Sequence, residues 1–329
     1  MRALTRYILI RIGLIVPTLL IVSSITFILL HMAPGNPIDI MLGAAKASRE
    51  VRDILIQRFG FDEPLHIQYF LWVYNMFRGE LGLSISGAPV IELIGVRLWY
   101  TVELMLVSQG ISALIAVILG ALAGYRKETM LDKALSVVAL VGYSLPNFWL
   151  SIIVILVFSL YLGWFPVGAF SLGIELARER GLYAILIHLR HLALPTAVLV
   201  VGFTPYYFRL LRATMVEVVD EDYITMARAK GLKEVTVIYK HALKNAVIPL
   251  LTAVGTSLGL ILGGSYVVEL VFAWPGLGHL LVTAAIARDY WLVMGISFIT
   301  AVMVIVSSIA LDMAYAYFNP KIRFAGSGY

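Results

Sequence analysis

The sequence predicts an all-α integral membrane protein of six transmembrane helices, with a small helical external segment between the first and second. Three observations carry that prediction. Of the 329 residues, 60% are hydrophobic and only 14% charged, and mean hydropathy is +0.91. Soluble domains run near 45–50% apolar and about 25% charged. Six stretches are apolar enough to cross roughly 30 Å of hydrocarbon, which takes about 20 residues of helix. The basic residues crowd into alternate connecting segments, which is a topology signal. Cysteine is absent, which excludes a disulfide framework and thiolate metal sites. No nucleic-acid motif accompanies the net charge of +5, so no nucleic-acid partner is expected.

The first stretch, residues 7–31, follows Arg2, Arg6 and Arg11. It is too long for a signal-peptide core and lacks a small-residue cleavage site after it, so it reads as an uncleaved anchor. Residues 1–32 are thus a cytoplasmic N-terminus plus the first helix, and residues 33–100 the external segment. There, Ser48 is placed to cap a helix in which Val51, Ile54, Leu55 and Phe59 recur at helical spacing, with Gly60 to end it. Pro64 sits where a first-turn proline belongs, ahead of an aromatic-rich helical run over 65–77. Amphipathic helices of this kind suit a packed lid or a surface position at the membrane.

Residues 101–320 form a five-helix core, and residues 321–329 a cytoplasmic tail. The core stretches are 101–124, 134–162, 192–211, 246–268 and 291–317. The fourth is short and carries Pro195 and Pro205, which a bundle tolerates because neighbours re-satisfy the freed backbone groups. External loop 163–191 holds His188, Arg190 and His191. Two histidines three apart can bind a metal, but beside a span they read as interfacial side chains, and no metal site is expected. Loop 269–290 carries Phe272 and Trp274, aromatics that suit the interfacial belt. Gly120 and Gly124 in the second stretch, and Gly255, Gly259 and Gly263 in the fifth, are four apart, which lets helix backbones approach closely.

With the N-terminus inside, fifteen Lys and Arg fall in about 70 residues of inside segments and ten in about 120 residues outside. Both termini are therefore expected in the cytoplasm of a multi-pass cell-membrane protein.

The largest inside loop, residues 209–245 with its core at 212–245, carries the clearest local design. Acids come first, at Glu217, Asp220, Glu221 and Asp222. Tyr223, Ile224, Thr225, Met226, Ala227, Arg228, Ala229 and Lys230 follow, then Gly231 and Leu232. Acids at the start, bases in the last turn and glycine after it match the helix dipole and its caps. Two turns are marginal in water unless something packs on them, so this helix reads as a docking element. A second amphipathic run, 232–245, leads into the fifth stretch.

Ionisable groups in the spans are expensive at mid-bilayer. Glu103 at the outer end of the second stretch and Asp312 near the inner end of the sixth are expected to be structurally paired. Ser108, Gln109, Ser112, Ser144, Asn147, Thr252, Thr256 and Ser257 supply candidate pathway dipoles, and interhelix hydrogen bonding explains them equally well.

The stretch ARAKGL, followed by YKHALKNAVIPL, resembles the cytoplasmic EAA loop of type I ABC importer permeases, in the form used by the dipeptide/oligopeptide/nickel branch. HMAPGNPID, FGFDEPLHIQY, YSLPNFWL, GGSYVVELVFAWPGLG, RDY and LDMAYAYFNPKIR are similar to that branch too, in order along the whole chain. Gly231 matches the motif glycine and Ala227 its second alanine. Thr225 and Met226 replace the glutamate and first alanine, and Leu243-Lys244 stands where Leu-Pro falls. The resemblance implies half of an importer channel, paired with a second homologous permease, two cytosolic ABC ATPases and an external solute-binding protein. The segment from Asp222 to Leu232 would be the coupling helix seated in an ATPase groove. ATP and Mg would be bound by the ATPase subunits and no cofactor by this chain, which has no G-x-x-x-x-G-K-[ST] phosphate loop.

The expected cargo is a dipeptide or oligopeptide, with oligosaccharides or nickel as alternatives on the same machinery. An ion-gradient-driven secondary transporter is the rival from another class, although no internal repeat supports it. An intramembrane enzyme lacks its constellation: HExxH is absent.

Overall fold

The computed structural model describes residues 2–32, 56–57, 62–259 and 265–318, with side-chain environments for 13–32, 56–57, 62–257 and 265–309. In chain order the helices begin α1 (Arg2–Met32), α2 (Leu65–Phe77), α3 (Val90–Tyr125), α4 (Met130–Ser144), α5 (Asn147–Val154) and α6 (Leu172–Arg178). They continue α7 (Leu182–Val219), α8 (Asp222–Ala229), α9 (Leu243–Gly259), α10 (Tyr266–Val271), α11 (Leu277–Ala287) and α12 (Tyr290–Phe318). A π-helical stretch, Ile155–Tyr161, extends α5, and another, Val237–Ala242, leads into α9. Among the described residues the only β-pairing is an isolated bridge, Leu83 to Pro89. The protein is all-α, as expected.

Four of the described helices are long and apolar enough to span a membrane: Gly13–Met32 within α1, then α3, α7, and Tyr290–Ile309 within α12. The other expected stretches differ in detail. The third is broken, because α4 and the α5 segment meet at 96°. Pro146 causes the break: it pushes the residue before it out of helical geometry, and Leu145 is extended at ψ 122°. The fourth is not short but 38 residues long, with Pro195 and Pro205 buried inside it. Its start is set by Gly181 at φ +64°, so the end of the expected loop 163–191 is helix instead. The second starts at Val90, since residues 90–100 are helix-compatible and nothing stops them before 101. For the fifth, α9 is described over 17 residues to Gly259. Residues 260–264 with Gly263, the expected helix from Ser48 to Gly60 apart from its helical residues 56–57, and the environments of Gly259 and Asp312 lie outside the described residues.

The chain divides into two compact units, residues 1–100 with 276–329, and residues 101–275. In the first, α1 packs on α12 and on α2. Helix α2 has the expected bounds, with Pro64 as its N-cap residue, and buries Trp72 and Met76. The Ser24 and Tyr69 hydroxyls meet at 2.7 Å. The buried Asp289 caps α12: its carboxylate accepts from Leu292 N at 3.1 Å, from Ile85 N at 3.1 Å and from the Ser84 hydroxyl.

In the second unit α7 is the central post, packed by α4, α5, α6, α9 and α10. Tyr207, Phe208, Leu211 and Met215 of α7 meet Ala116 and Ala123 of α3 and Ala246, Leu250 and Ala253 of α9 in one apolar core. A Cβ on Gly120 would lie 3.1 Å from Leu211 Cβ, and one on Gly124 only 2.5 Å from Met215 Cβ. These are contacts of the small-residue kind expected from the spacing.

Candidate coupling site

Helix α8 forms where the sequence places it. Asp222 lies in its first turn and Arg228 in its last, each matching the dipole. Gly231 follows at φ +75°, a left-handed conformation that costs residues with a Cβ about 1–2 kcal/mol. Ile224 and Ala227, three apart on one face, are buried in the apolar core among Met215, Val219, Val237 and Ala242. The short helix is thus held by tertiary packing rather than propensity.

Polar links fix its ends. Asn245 Nδ2 donates to the Tyr223 hydroxyl at 2.8 Å, and Arg228 donates through Nη2 to Glu234 Oε1 at 3.0 Å. The rest of its surface is open: Tyr223 is 38% exposed and Met226 60%, with Thr225, Ala229 and Lys230 also exposed, and beyond the Gly231 turn Leu232 is 39% exposed. An apolar strip rimmed by charge, on a helix whose other face is anchored, is the anatomy of a protein-docking surface. After a turn and the short helical segment Glu234–Thr236, the π-helical stretch enters α9; π-bulges recur at functional sites.

The candidate pathway residues are distributed over α3, the α4–α5 break and α9. Ser108 and Ser112 are buried in α3; the Ser108 hydroxyl donates to Leu104 O at 2.6 Å. Between them in sequence, Gln109 accepts a hydrogen bond from the buried Tyr207 hydroxyl of α7. Ser144 and Asn147 flank the Leu145–Pro146 break, with Ser144 exposed. Thr252 and Thr256 stack one turn apart on α9, the Thr256 hydroxyl donating to Thr252 O at 2.9 Å.

The expected pairing of Glu103 is found: His188 Nε2 lies 2.7 Å from its Oε1. His191 faces Glu175 at 3.7 Å and Ser171 at 3.4 Å. Each histidine thus has its own carboxylate. Among the described residues no group of three or more His, Asp or Glu is arranged to hold a metal.

Sequence reasoning missed two buried acids. Glu269, 0% exposed, accepts from the Thr101 hydroxyl at 2.8 Å and the Ser265 hydroxyl at 2.9 Å. Asp132, 2% exposed, takes a bidentate pair from Arg212 at 2.5 and 2.6 Å. For Asp132 the available signal was an acid bordering an apolar run with a base on the same side, and only the packing chooses the partner.

Comparison with known families matches residues 116–324 to the family described as "Binding-protein-dependent transport system inner membrane component". Residues 4–94 match the N-terminal part described for such membrane components. The chain is 38% identical over 320 residues to the oligopeptide transport system permease protein AppB of Bacillus subtilis, covering 97% of this chain and 99% of that one. It is 35% identical over 326 residues to the di/tripeptide transport system permease protein DppB of Pseudomonas aeruginosa, covering 95% and 97%. A putative peptide transport system permease protein of Brucella abortus is 35% identical over 322 residues, covering 98% and 100%.

Proposed function

We propose, from the premise that this chain belongs to the family of binding-protein-dependent transport system inner membrane components, that it forms half of the translocation pathway of an ATP-driven peptide importer. The observation that carries the cargo class is end-to-end similarity to permeases named for oligopeptides and di/tripeptides. A second homologous permease supplies the other half, two cytosolic ATPases bind ATP and Mg, and an external solute-binding protein delivers the peptide. Both termini and α8 face the cytoplasm, in keeping with the excess of basic residues in those segments. This chain itself carries no ATP site and gates the path.

Helix α8 is the coupling element. Tyr223, Met226 and Leu232 face the ATPase while Ile224 and Ala227 key the helix into the core. A push on α8 passes through the π-helical stretch into α9 and through Val219 into α7, both of which it adjoins in sequence. Alternating access then follows from ATPase closure tilting the bundle.

The test is reconstitution of the complex in proteoliposomes with a radiolabelled casein-derived peptide pool. Uptake is expected only with ATP, ATPases and binding protein together. Uptake by this chain without an ATPase would make it a secondary transporter and end this reading. Met226→Glu places a charge in the docking strip and should lower binding-protein-stimulated ATP hydrolysis about tenfold, the equivalent of ~1.4 kcal/mol. Unchanged stimulation would remove the coupling role.

A further inference from the structure

The turn between α3 and α4 carries an anomaly. Glu128 sits at φ +67°, a conformation uncommon for a residue with a Cβ and held only where surroundings over-determine it. Its amide donates to Asp132 Oδ2 at 2.9 Å. The same carboxylate receives Nε and Nη2 of Arg212 from α7. Thr129 completes the turn, its hydroxyl donating to Arg126 O at 2.7 Å and accepting from Asp132 N at 3.4 Å.

Two further links tie this turn to the coupling region. Lys127 Nζ lies 2.7 Å from Asp220, the residue that ends α7 two positions before α8. Tyr125, at the end of α3, lies close to Glu234, the carboxylate that also holds Arg228 of α8. The turn is therefore tied to α7 and to the entrance of α8, with the end of α3 beside the carboxylate that holds the last turn of α8.

The far end of α4 is built differently. It stops at the 96° break, and the break rests on α7 with little room. A Cβ on Gly142 would lie 3.3 Å from Pro205 Cγ, and one on Gly202 would lie 2.9 Å from Asn147 Oδ1. Helix α4 is thus a strut, clamped by charge at one end and packed against α7 at the bend that ends it. A buried ion pair adds little net stability over an apolar pair of the same shape, but a bidentate guanidinium–carboxylate contact fixes direction. Direction is what a mechanical joint requires.

We infer that the Asp132–Arg212 ion pair is the joint through which displacement at α8 reaches the broken span α4–α5, which makes Asp132 a positioning residue for transport. The inference rests on the reading of α8 as the coupling element. Loss of the joint should leave the ATPases stimulated and stop the gate from following them.

The test uses the full reconstituted complex with the binding protein and the labelled peptide pool, scoring ATP hydrolysis and uptake side by side. Asp132→Asn is expected to keep stimulated hydrolysis within about twofold while uptake falls about tenfold, in the range of measured coupling energies. The charge swap D132R with R212D should recover a substantial part of the uptake, which a packing defect would not. Parallel loss of both activities, unchanged uptake, or a swap no better than the single variant overturns the joint. If Asp132→Asn does not reach the membrane, Arg212→Lys, which keeps the charge and loses the second hydrogen bond, is scored by the same criteria at matched abundance. Met226→Glu separates the two readings: if it leaves hydrolysis unchanged the coupling helix itself is wrong, whereas a normal Met226→Glu defect with proportional Asp132→Asn losses rejects only the joint.

Discussion

Gly124 of α3 stands against Met215 of α7 so closely that a Cβ on the glycine would lie 2.5 Å from the Met215 Cβ and 2.8 Å from Arg212 O. The obstruction is backbone and a Cβ fixed to it rather than a flexible side-chain end, so neither helix can yield without moving as a body. In a bilayer, where lipid offers as much apolar contact as protein, such close approach is a main source of helix association.

Gly124→Ala should therefore destabilise the second unit by about 1–3 kcal/mol, the usual cost of overpacking. Gly120→Ala, whose Cβ would meet Leu211 Cβ at 3.1 Å and Phe208 O at 3.2 Å, should cost less. Thermal unfolding in detergent would read the order. Equal melting temperatures for Gly124→Ala and the parent would contradict the close contact.

Gly231 has open space around the position of a Cβ but sits at φ +75°. A substitution there isolates backbone strain from packing. Gly231→Ala should lower stability by about 1–2 kcal/mol, and Gly231→Asn by less, because asparagine tolerates the left-handed region better. Hydrogen exchange across residues 222–232 should rise for alanine more than for asparagine. The reverse order would show that the turn does not depend on its handedness.

His188 and Glu103 make a second kind of test, on charge. The Glu103 Oε1 faces His188, while Oε2 is buried without a hydrogen-bond partner. His188→Ala removes the partner and leaves a poorly satisfied carboxylate, which costs about 1–3 kcal/mol or more for a charged group. Combining it with Glu103→Gln should return part of that loss, since the uncompensated charge is gone. A double variant less stable than His188→Ala alone would reject the pairing as the source of the effect.

Several elements were legible without coordinates because their causes are local. Pro64 starts α2 and the run 65–77 fills it, and the acids, bases and glycine around 222–231 delimit α8. The glycines at 120 and 124 announced a close contact through spacing alone. Other features were hidden because they depend on distant residues. The continuation of α7 through Pro195 and Pro205 needs neighbours that satisfy the freed carbonyls. The break at Pro146 was not distinguishable from such tolerated prolines, because the outcome depends on what packs beside each one.

The candidate site divides the same way. The sequence marked the segment from Asp222 to Leu232 as a unit, but only burial decided that Ile224 and Ala227 are its anchored residues and that Tyr223, Met226 and Leu232 are exposed. Asp132 and Arg212 lie 80 residues apart, and no pattern in the chain joins them.

By itself the sequence determined that this is a helical membrane protein, where its helices largely lie, where the short capped helix of the largest loop begins and ends, and which family it resembles. Those properties follow from hydropathy, charge order and backbone chemistry, which act over one or two turns. Only the tertiary structure decided which polar groups are partners, where a span breaks, and which residues of α8 stay open. Those outcomes depend on helices brought together from far along the chain, where the bilayer leaves packing and satisfied hydrogen bonds to choose among many contacts of similar hydrophobicity.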